Sequence, residues 1–300
     1  MAAIDCGTNS VRLLIADVSE RSGVADVTRQ MRIVRLGEGV DQTGRLAPAA
    51  IERTRVALVD YAAEIAAARV DAARMVATSA SRDAENAADF QAMVLDTLGF
   101  APEVITGEEE ARLSFAGAVR GLTAQAPFLV VDIGGGSTEF VVGERDVEAA
   151  ISVDIGCVRM TERHLRADPP TAEQIAAAEA DIVASVERAL AAVDGTRAAT
   201  LVGLAGSVTT VAALALGLRE YDPKRIHRAR ISAEEVAKVT ADLLGRTTEQ
   251  RLEHPVMHPG RADVIGAGAL ILRTIVERSG LDSVIASESD ILDGIALSMA

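Results

Sequence analysis

Two short stretches carry residues able to hold a phosphoryl group: Asp5-Cys6-Gly7-Thr8-Asn9-Ser10 and Asp132-Ile133-Gly134-Gly135-Gly136-Ser137. Glycines at a strand-to-strand turn aim several backbone N–H groups one way, forming a nest for phosphate oxygens, and a Ser or Thr hydroxyl adds a donor. An aspartate at the strand end has the wrong charge for phosphate. It has the right one for a divalent cation such as Mg²⁺, which is bound by one or two carboxylates together with phosphate oxygens. Either turn alone reads as ordinary hairpin chemistry. Two copies that keep Asp and Ser at one offset favour the binding reading.

Three further segments carry chemistry. In Thr106-Gly107-Glu108-Glu109-Glu110, Thr106 and Glu109 form a capping box, and acidic residues in a first helical turn complement the dipole. That accounts for Glu109 without requiring three carboxylates. Glu110 is the candidate to orient an attacking water as general base. In Thr78-Ser79-Ala80-Ser81-Arg82-Asp83, at a strand-to-helix junction, Arg82 can clamp a phosphate bidentately, or Ser81 can cap the helix with Arg82 in a surface ion pair. In Gly203-Leu204-Ala205-Gly206-Ser207-Val208-Thr209-Thr210 the small residues admit either a ligand or close helix packing at the helix N-terminus, with the ligand favoured.

Other signals carry less. His254 and His258 have zinc-helix spacing, but Pro255 and Pro259 break any helix through them, so they read as loop histidines. Neither the Walker P-loop pattern nor a strand-linked G-x-G-x-x-G is present. The basic stretch Lys224-Arg225-Ile226-His227-Arg228-Ala229-Arg230 reads as a solvated loop, or as a local positive patch for a polyanion.

The elements that must position these residues follow from periodicity and breakers. Strands are expected at 2–5, 11–18 and 24–36, then a helix from Pro48 to about Arg69, a strand at 74–78, a helix at 83–98, a strand at 102–105 and a helix at 108–119. After a connector at 121–127, three strands recur at 128–132, 137–142 and 147–153. There follow a helix at 171–193, a strand at 201–204 and a helix at 208–216. Helices near 232–245, 261–279 and 289–300 and a strand at 283–286 complete the pattern. Ile4–Ile15 written above Val131–Val142 aligns Asp, Gly and Ser at constant offset between matching apolar strands. The expected fold is therefore α/β: a duplicated pair of α/β domains with a cleft between them, both turns at strand ends facing it. The domains are placed at 1–122, joined by the final helix 289–300, and at 123–288.

Three hundred residues, 49% hydrophobic and 25% charged, supply a real core and suit two domains. Thirty basic against 44 acidic residues give a net charge of −14, which repels nucleic acid and anionic membrane. With only 2% aromatics, stacking platforms for single-stranded nucleic acid are scarce. Cys6 and Cys157 make no disulfide framework, no apolar run reaches membrane-spanning length, and Asp5 interrupts the N-terminus before any export signal forms. A cytoplasmic protein without nucleic-acid or membrane partners is expected.

Taken together, these motifs resemble the exopolyphosphatase and guanosine pentaphosphate phosphohydrolase family, within the sugar kinase, actin and Hsp70 superfold. The resemblance rests on Asp5–Ser10, Thr78–Asp83, Gly107–Arg112, Asp132–Glu139 and Gly260–Asp263, in order along essentially the whole chain. It implies two ribonuclease H-like (actin-like) domains. It implies Glu110 as general base and Asp132 and Glu139 as Mg²⁺-associated carboxylates. A phosphate grip of Gly7, Thr8, Asn9, Ser10, Arg82, Gly134, Gly135, Gly136 and Ser137 is implied as well. The implied activity is Mg²⁺-dependent release of terminal orthophosphate from inorganic polyphosphate, with guanosine pentaphosphate as the alternative substrate and a homodimer as the assembly. Longer relatives continue into further C-terminal helical domains. Their lack here, with the net charge, points to shorter polyphosphate chains. A kinase of the same superfold and a non-enzymatic actin-like filament protein are the other readings.

Overall fold

A computed structural model describes residues 1–19 and 23–300. The chain divides into two compact units, one of Met1–Gly117 with Asp290–Ala300 and one of Ala118–Ser289.

The first unit opens with β1 (Ala2–Cys6), β2 (Ser10–Ser19) and β3 (Gly23–Ile33), followed by α1 (Val40–Thr43), α2 (Pro48–Ala68) and β4 (Ala73–Ala77). It continues through α3 (Ser79–Asp83), α4 (Ala87–Leu98), β5 (Glu103–Val104) and α5 (Gly107–Val119). Its sheet has the order β3-β2-β1-β4-β5; β1 runs antiparallel to β2 and parallel to β4. β1 is buried along its whole length, Asp5 included, and its other four residues are accordingly apolar. Ile4 and Cys6 enter the core with Leu13, Leu58 and Tyr61, whereas Ala3 points the other way to Leu14, Val76 and Leu113. Helix α2 starts with Pro48 in its first turn and buries Ala50, Thr54, Ala57, Leu58 and Tyr61, one stripe at helical spacing. The Tyr61 hydroxyl donates to the Val11 carbonyl at 3.1 Å, tying that stripe to β2.

The second unit repeats the plan with β6 (Phe128–Ile133), β7 (Thr138–Gly143) and β8 (Val147–Val153), then α6 (Cys157–His164), α7 (Ala172–Ala192), β9 (Thr200–Leu204) and α8 (Ala205–Ala215). After these come α9 (Pro223–Ile226), β10 (Arg230–Ser232), α10 (Ala233–Gly245), α11 (Thr248–Arg251), α12 (Ile265–Ser279) and β11 (Ser283–Ala286). The sheet order β10-β11-β9-β6-β7-β8 is that of the first unit with one added edge strand. The duplicated α/β architecture expected from the repeat is therefore present in both halves. Helix α12 is buried nearly all round and packs on α6, α7, α8 and α10. Small residues allow this: a Cβ on Gly268 would overlap the Ser207 hydroxyl.

The chain then returns to the first unit as α13 (Ile291–Leu297), which packs on β1, β2 and β3. Its fit to α5 depends on two glycines, since a Cβ on Gly117 would overlap the Asp290 carbonyl and one on Gly294 that of Leu113. Among the described residues no helix is long and apolar enough to cross a membrane.

Three local differences from the sequence reading have physical causes. The helix expected over 83–98 is split, because Ala84 is extended and Asn86 spends its amide clamping the Leu46 backbone, at 2.8 and 3.1 Å, instead of capping α4. Strand β10 begins at Arg230, the last residue of the basic stretch, and pairs with β11 at the sheet edge, where charged side chains are tolerated. Helix α6 was not expected at all, because Cys157–His164 offers too short and too polar a run for a periodicity to show.

Candidate functional site

The second turn, Gly134–Ser137, connects β6 to β7 and is closed by Gly134 N–H donating to the Ser137 carbonyl at 3.0 Å. Its carbonyls are taken up by the start of α6. Cys157 N–H donates to Gly134 O (2.9 Å), Val158 and Arg159 N–H to Gly135 O (2.9 and 3.1 Å), and the Arg159 side chain to Gly136 O (2.7 Å). In a trans peptide the N–H points opposite to the C=O. The amides of Gly135, Gly136 and Ser137 therefore face away from α6 together, which is the donor nest that the glycine run implied. Gly156 makes the approach possible: a Cβ there would overlap the Gly135 carbonyl.

Asp132 and Glu139 are cross-strand partners on β6 and β7, so the two carboxylates leave the sheet on one face. Both are buried. The Ser137 and Ser152 hydroxyls each donate to Glu139 Oε1 at 2.8 Å and hold it in place. Oxygen donors alone, two of them carboxylates, suit a hard divalent cation. Among the described residues no group of three or more His, Cys, Asp or Glu side chains gathers into a cage. A pair is sufficient for a cation that completes its shell with water and phosphate oxygens.

The first turn is built alike inside the first unit. Gly7 N–H donates to Ser10 O at 3.0 Å, and the turn carbonyls are held by the segment after β3. Val34 and Arg35 N–H donate to Asn9 O, and Gly37 N–H to Thr8 O, at 2.9–3.0 Å. The amides of Asn9 and Ser10 then face the other way. The Thr8 hydroxyl lies 2.9 Å from that of Ser79, joining the turn to α3.

Beside Asp5, read from the sequence as a candidate cation-holding carboxylate, the structure places a cation of the protein's own, Arg12. The Asp5 carboxylate accepts from Arg12 Nε at 2.9 Å and Nη2 at 2.7 Å, and Arg12 Nη1 reaches Asp290. Burial pushes the Asp5 carboxyl above the usual carboxylate range while Arg12 pulls it back. Both thiols, Cys6 and Cys157, are buried and pushed up by that burial, which keeps them protonated and inert.

Glu110 sits in the first turn of α5, buried, and Arg82 Nη1 approaches its Oε2 at 3.3 Å while donating to the Ile105 carbonyl at 2.9 Å. The Thr106 hydroxyl accepts from Glu109 N–H at 3.2 Å, and the Glu109 carboxylate lies 3.8 Å from Arg74, so Glu109 is spent on structure.

The glycine turn at 203–207 is filled by the protein itself. A Cβ on Gly203 would press on Val208, and one on Gly206 would overlap the Arg261 guanidinium, which donates to Gly206 O and Thr210 Oγ1 at 3.3 and 3.4 Å. Close packing, not a ligand gap, explains those glycines. His254 lies in a loop with Nε2 2.9 Å from Asp242, and His258 Nδ1 accepts from Gly260 N–H at 3.1 Å. In the basic stretch Lys224, Arg225, Arg228 and Arg230 are exposed, and Arg230 donates to Ser283 at 2.8 Å. The carbonyl anchors at 34–37 and 156–159 were not singled out from the sequence. Their signal is a glycine placed shortly after the third strand of each half, Gly37 and Gly156.

A duplicated α/β chain with an amide nest in each half and carboxylates beside them has the framework of a phosphoryl-handling protein. A profile of the Ppx/GppA phosphatase family matches residues 14–300, and the chain belongs to that family. It is 53% identical over 313 residues to exopolyphosphatase 2 of Mycobacterium tuberculosis, covering 100% of this chain and 98% of that protein. The crystal structure of an exopolyphosphatase-like protein superposes with a TM-score of 0.96 at 44% identity, covering 99% of this chain and 98% of that one. The Aquifex aeolicus PPX-GPPA enzyme gives a TM-score of 0.83 at 34% identity, with 99% and 98% covered. The resemblance read from the motifs and the two-domain actin-like fold it implied are thereby confirmed.

Proposed function

We propose that this protein is an exopolyphosphatase, a phosphoric anhydride hydrolase that releases terminal orthophosphate from inorganic polyphosphate with Mg²⁺. The full-length similarity to exopolyphosphatase 2 carries the reading.

Glu110 acts as general base. Arg82, held by the Ile105 carbonyl, orients its carboxylate. Water is oriented by Glu110 and attacks the terminal phosphorus; the bridging P–O bond breaks, the water proton passes to Glu110, and orthophosphate leaves with a chain shortened by one unit. The amides of Asn9, Ser10, Gly135, Gly136 and Ser137 donate to phosphoryl oxygens, and Gly7, Thr8 and Gly134 shape the turns. Asp132 and Glu139 would hold Mg²⁺, which supplies charge neutralisation at the phosphoryl oxygens. The net charge of −14 favours shorter chains that present an end, because a long polyanion lying across the surface meets repulsion. Guanosine pentaphosphate is the second reading, supported by 31% identity to a guanosine-5'-triphosphate,3'-diphosphate pyrophosphatase of Photobacterium profundum, 59% of which is covered. A homodimer in the cytoplasm belongs to this proposal on the family resemblance.

The test is phosphate release with Mg²⁺ from short polyphosphate, long polyphosphate, guanosine pentaphosphate and ATP in parallel, each beside Glu110→Gln. Release from polyphosphate that vanishes in the variant is expected. Release from guanosine pentaphosphate alone moves the protein to the second reading, and no release from any of the four overturns the proposal.

A further inference from the structure

The two hairpins that carry the turns share one register and differ at one partner. In the first, Asp5 on β1 faces Arg12 on β2; in the second, Asp132 on β6 faces Glu139 on β7. Asp5 corresponds to Asp132 and Arg12 to Glu139 at the offset that also matches Gly7 to Gly134 and Ser10 to Ser137. Duplication has therefore left the same cross-strand position cationic in one unit and anionic in the other.

Opposite charges directly across a pair of strands attract, and like charges repel. In the first hairpin two Arg12 nitrogens donate to Asp5 Oδ2, and the third reaches Asp290, so one guanidinium spans two buried carboxylates. Arg29 adds a second cation beside this cluster, 3.0 Å from Asp293 and 3.9 Å from Asp290. A carboxylate already bound to a guanidinium loses that partner if it ligates a metal, and the guanidinium repels the incoming ion. In the second hairpin the two facing carboxylates concentrate negative charge, the arrangement a divalent ion favours.

We propose that Arg12 occupies, in the first hairpin, the place that a divalent cation takes in the second, so that each chain binds one ion and Asp5 is not a ligand. This rests on the reading of Asp132 and Glu139 as the Mg²⁺ carboxylates and deepens it: the repeat is a pair of cation sites, one of which carries its cation covalently. Reversing that one charge converts the first hairpin into a second ion site.

Mn²⁺ stoichiometry, read by electron paramagnetic resonance on folded protein together with Mn²⁺-dependent thermal unfolding, tests it. The wild type is expected to bind one ion, Glu139→Gln to bind it at least tenfold more weakly, and Arg12→Lys still one. Arg12→Glu, which rebuilds the Asp/Glu pair, is expected to bind two, with a melting temperature that Mn²⁺ raises more than in the wild type. The second site should persist in Arg12→Glu/Glu139→Gln. A strong ion retained by Glu139→Gln in the wild-type background overturns the proposal, as does Arg12→Glu that binds one ion or stays unfolded with Mn²⁺ present. If the wild type binds one ion, lost in Glu139→Gln, while Arg12→Glu gains none, this inference alone fails. No binding by the wild type removes the Mg²⁺ reading with it.

Discussion

Arg82 and Glu110 meet at 3.3 Å, and the arginine nitrogen that makes the contact also donates to the Ile105 carbonyl at 2.9 Å. The backbone just ahead of α5 thus fixes the guanidinium, and the guanidinium fixes the carboxylate one helical turn further on. A general base must be aimed as well as ionised, and in the role proposed for Glu110 the aiming would come from a backbone atom.

Glu110→Gln is expected to lower phosphate release by about 10²–10⁴-fold, the usual contribution of a positioned base, while the melting temperature stays near that of the wild type. Arg82→Ala is expected to lower kcat more than it raises KM, because it frees the Glu110 carboxylate to rotate. Initial rates across a polyphosphate series separate the two effects.

Gly156→Ala places a methyl against the Gly135 carbonyl, a backbone atom that cannot swing aside. A loss of about 1–3 kcal/mol in urea denaturation is expected, typical of overpacking, with a raised KM as the amides of the second turn shift. Gly37→Ala meets the Thr8 methyl group, a side chain, and is expected to cost less.

Arg12→Ala, studied in EDTA, leaves the Asp5 and Asp290 carboxylates facing each other in a largely buried setting. Removing one partner of such a cluster is expected to cost about 3–5 kcal/mol by urea denaturation.

Asp181 provides a pH test remote from the proposed chemistry. Burial works to raise its carboxyl, but hydrogen bonds from His164 at 2.9 Å and Arg163 at 3.0 Å outweigh it and hold the group below the ordinary range. A lowered folded-state value gives stability that is present above the unfolded carboxylate range and lost as pH falls through the folded one. Asp181→Asn is expected to be destabilised by up to about 1 kcal/mol at pH 5, the difference closing as pH falls below about 4. Melting temperatures of both proteins over that range check it.

Both turns and the duplication were legible because Gly, Asp and Ser at a strand end are dictated by backbone geometry and recur at a fixed offset. Glu110 stands out in the sequence only through the motif around it, since a first-turn glutamate is what any helix start favours. The surroundings of Asp5 escape the sequence for a reason of tertiary structure. Its partner Arg12 lies across a hairpin, and the second carboxylate on that arginine, Asp290, comes from the far end of the chain. The amide nests were foreseen but not what holds them, because a carbonyl captured by a later segment leaves no trace beyond an isolated glycine such as Gly37 or Gly156.

The return of residues 290–300 to the first unit imposes an order on its assembly during translation. Ile291, Leu292 and Ile295 cover the sheet face formed by Ala3, Leu14 and Val76, yet they are made only after every residue of the second unit. At cellular elongation rates that interval is on the order of ten seconds or more. The half begun first is therefore finished last, and a chain cut before Asp290 holds every residue of the second unit while the first lacks the helix that completes the cover of one sheet face.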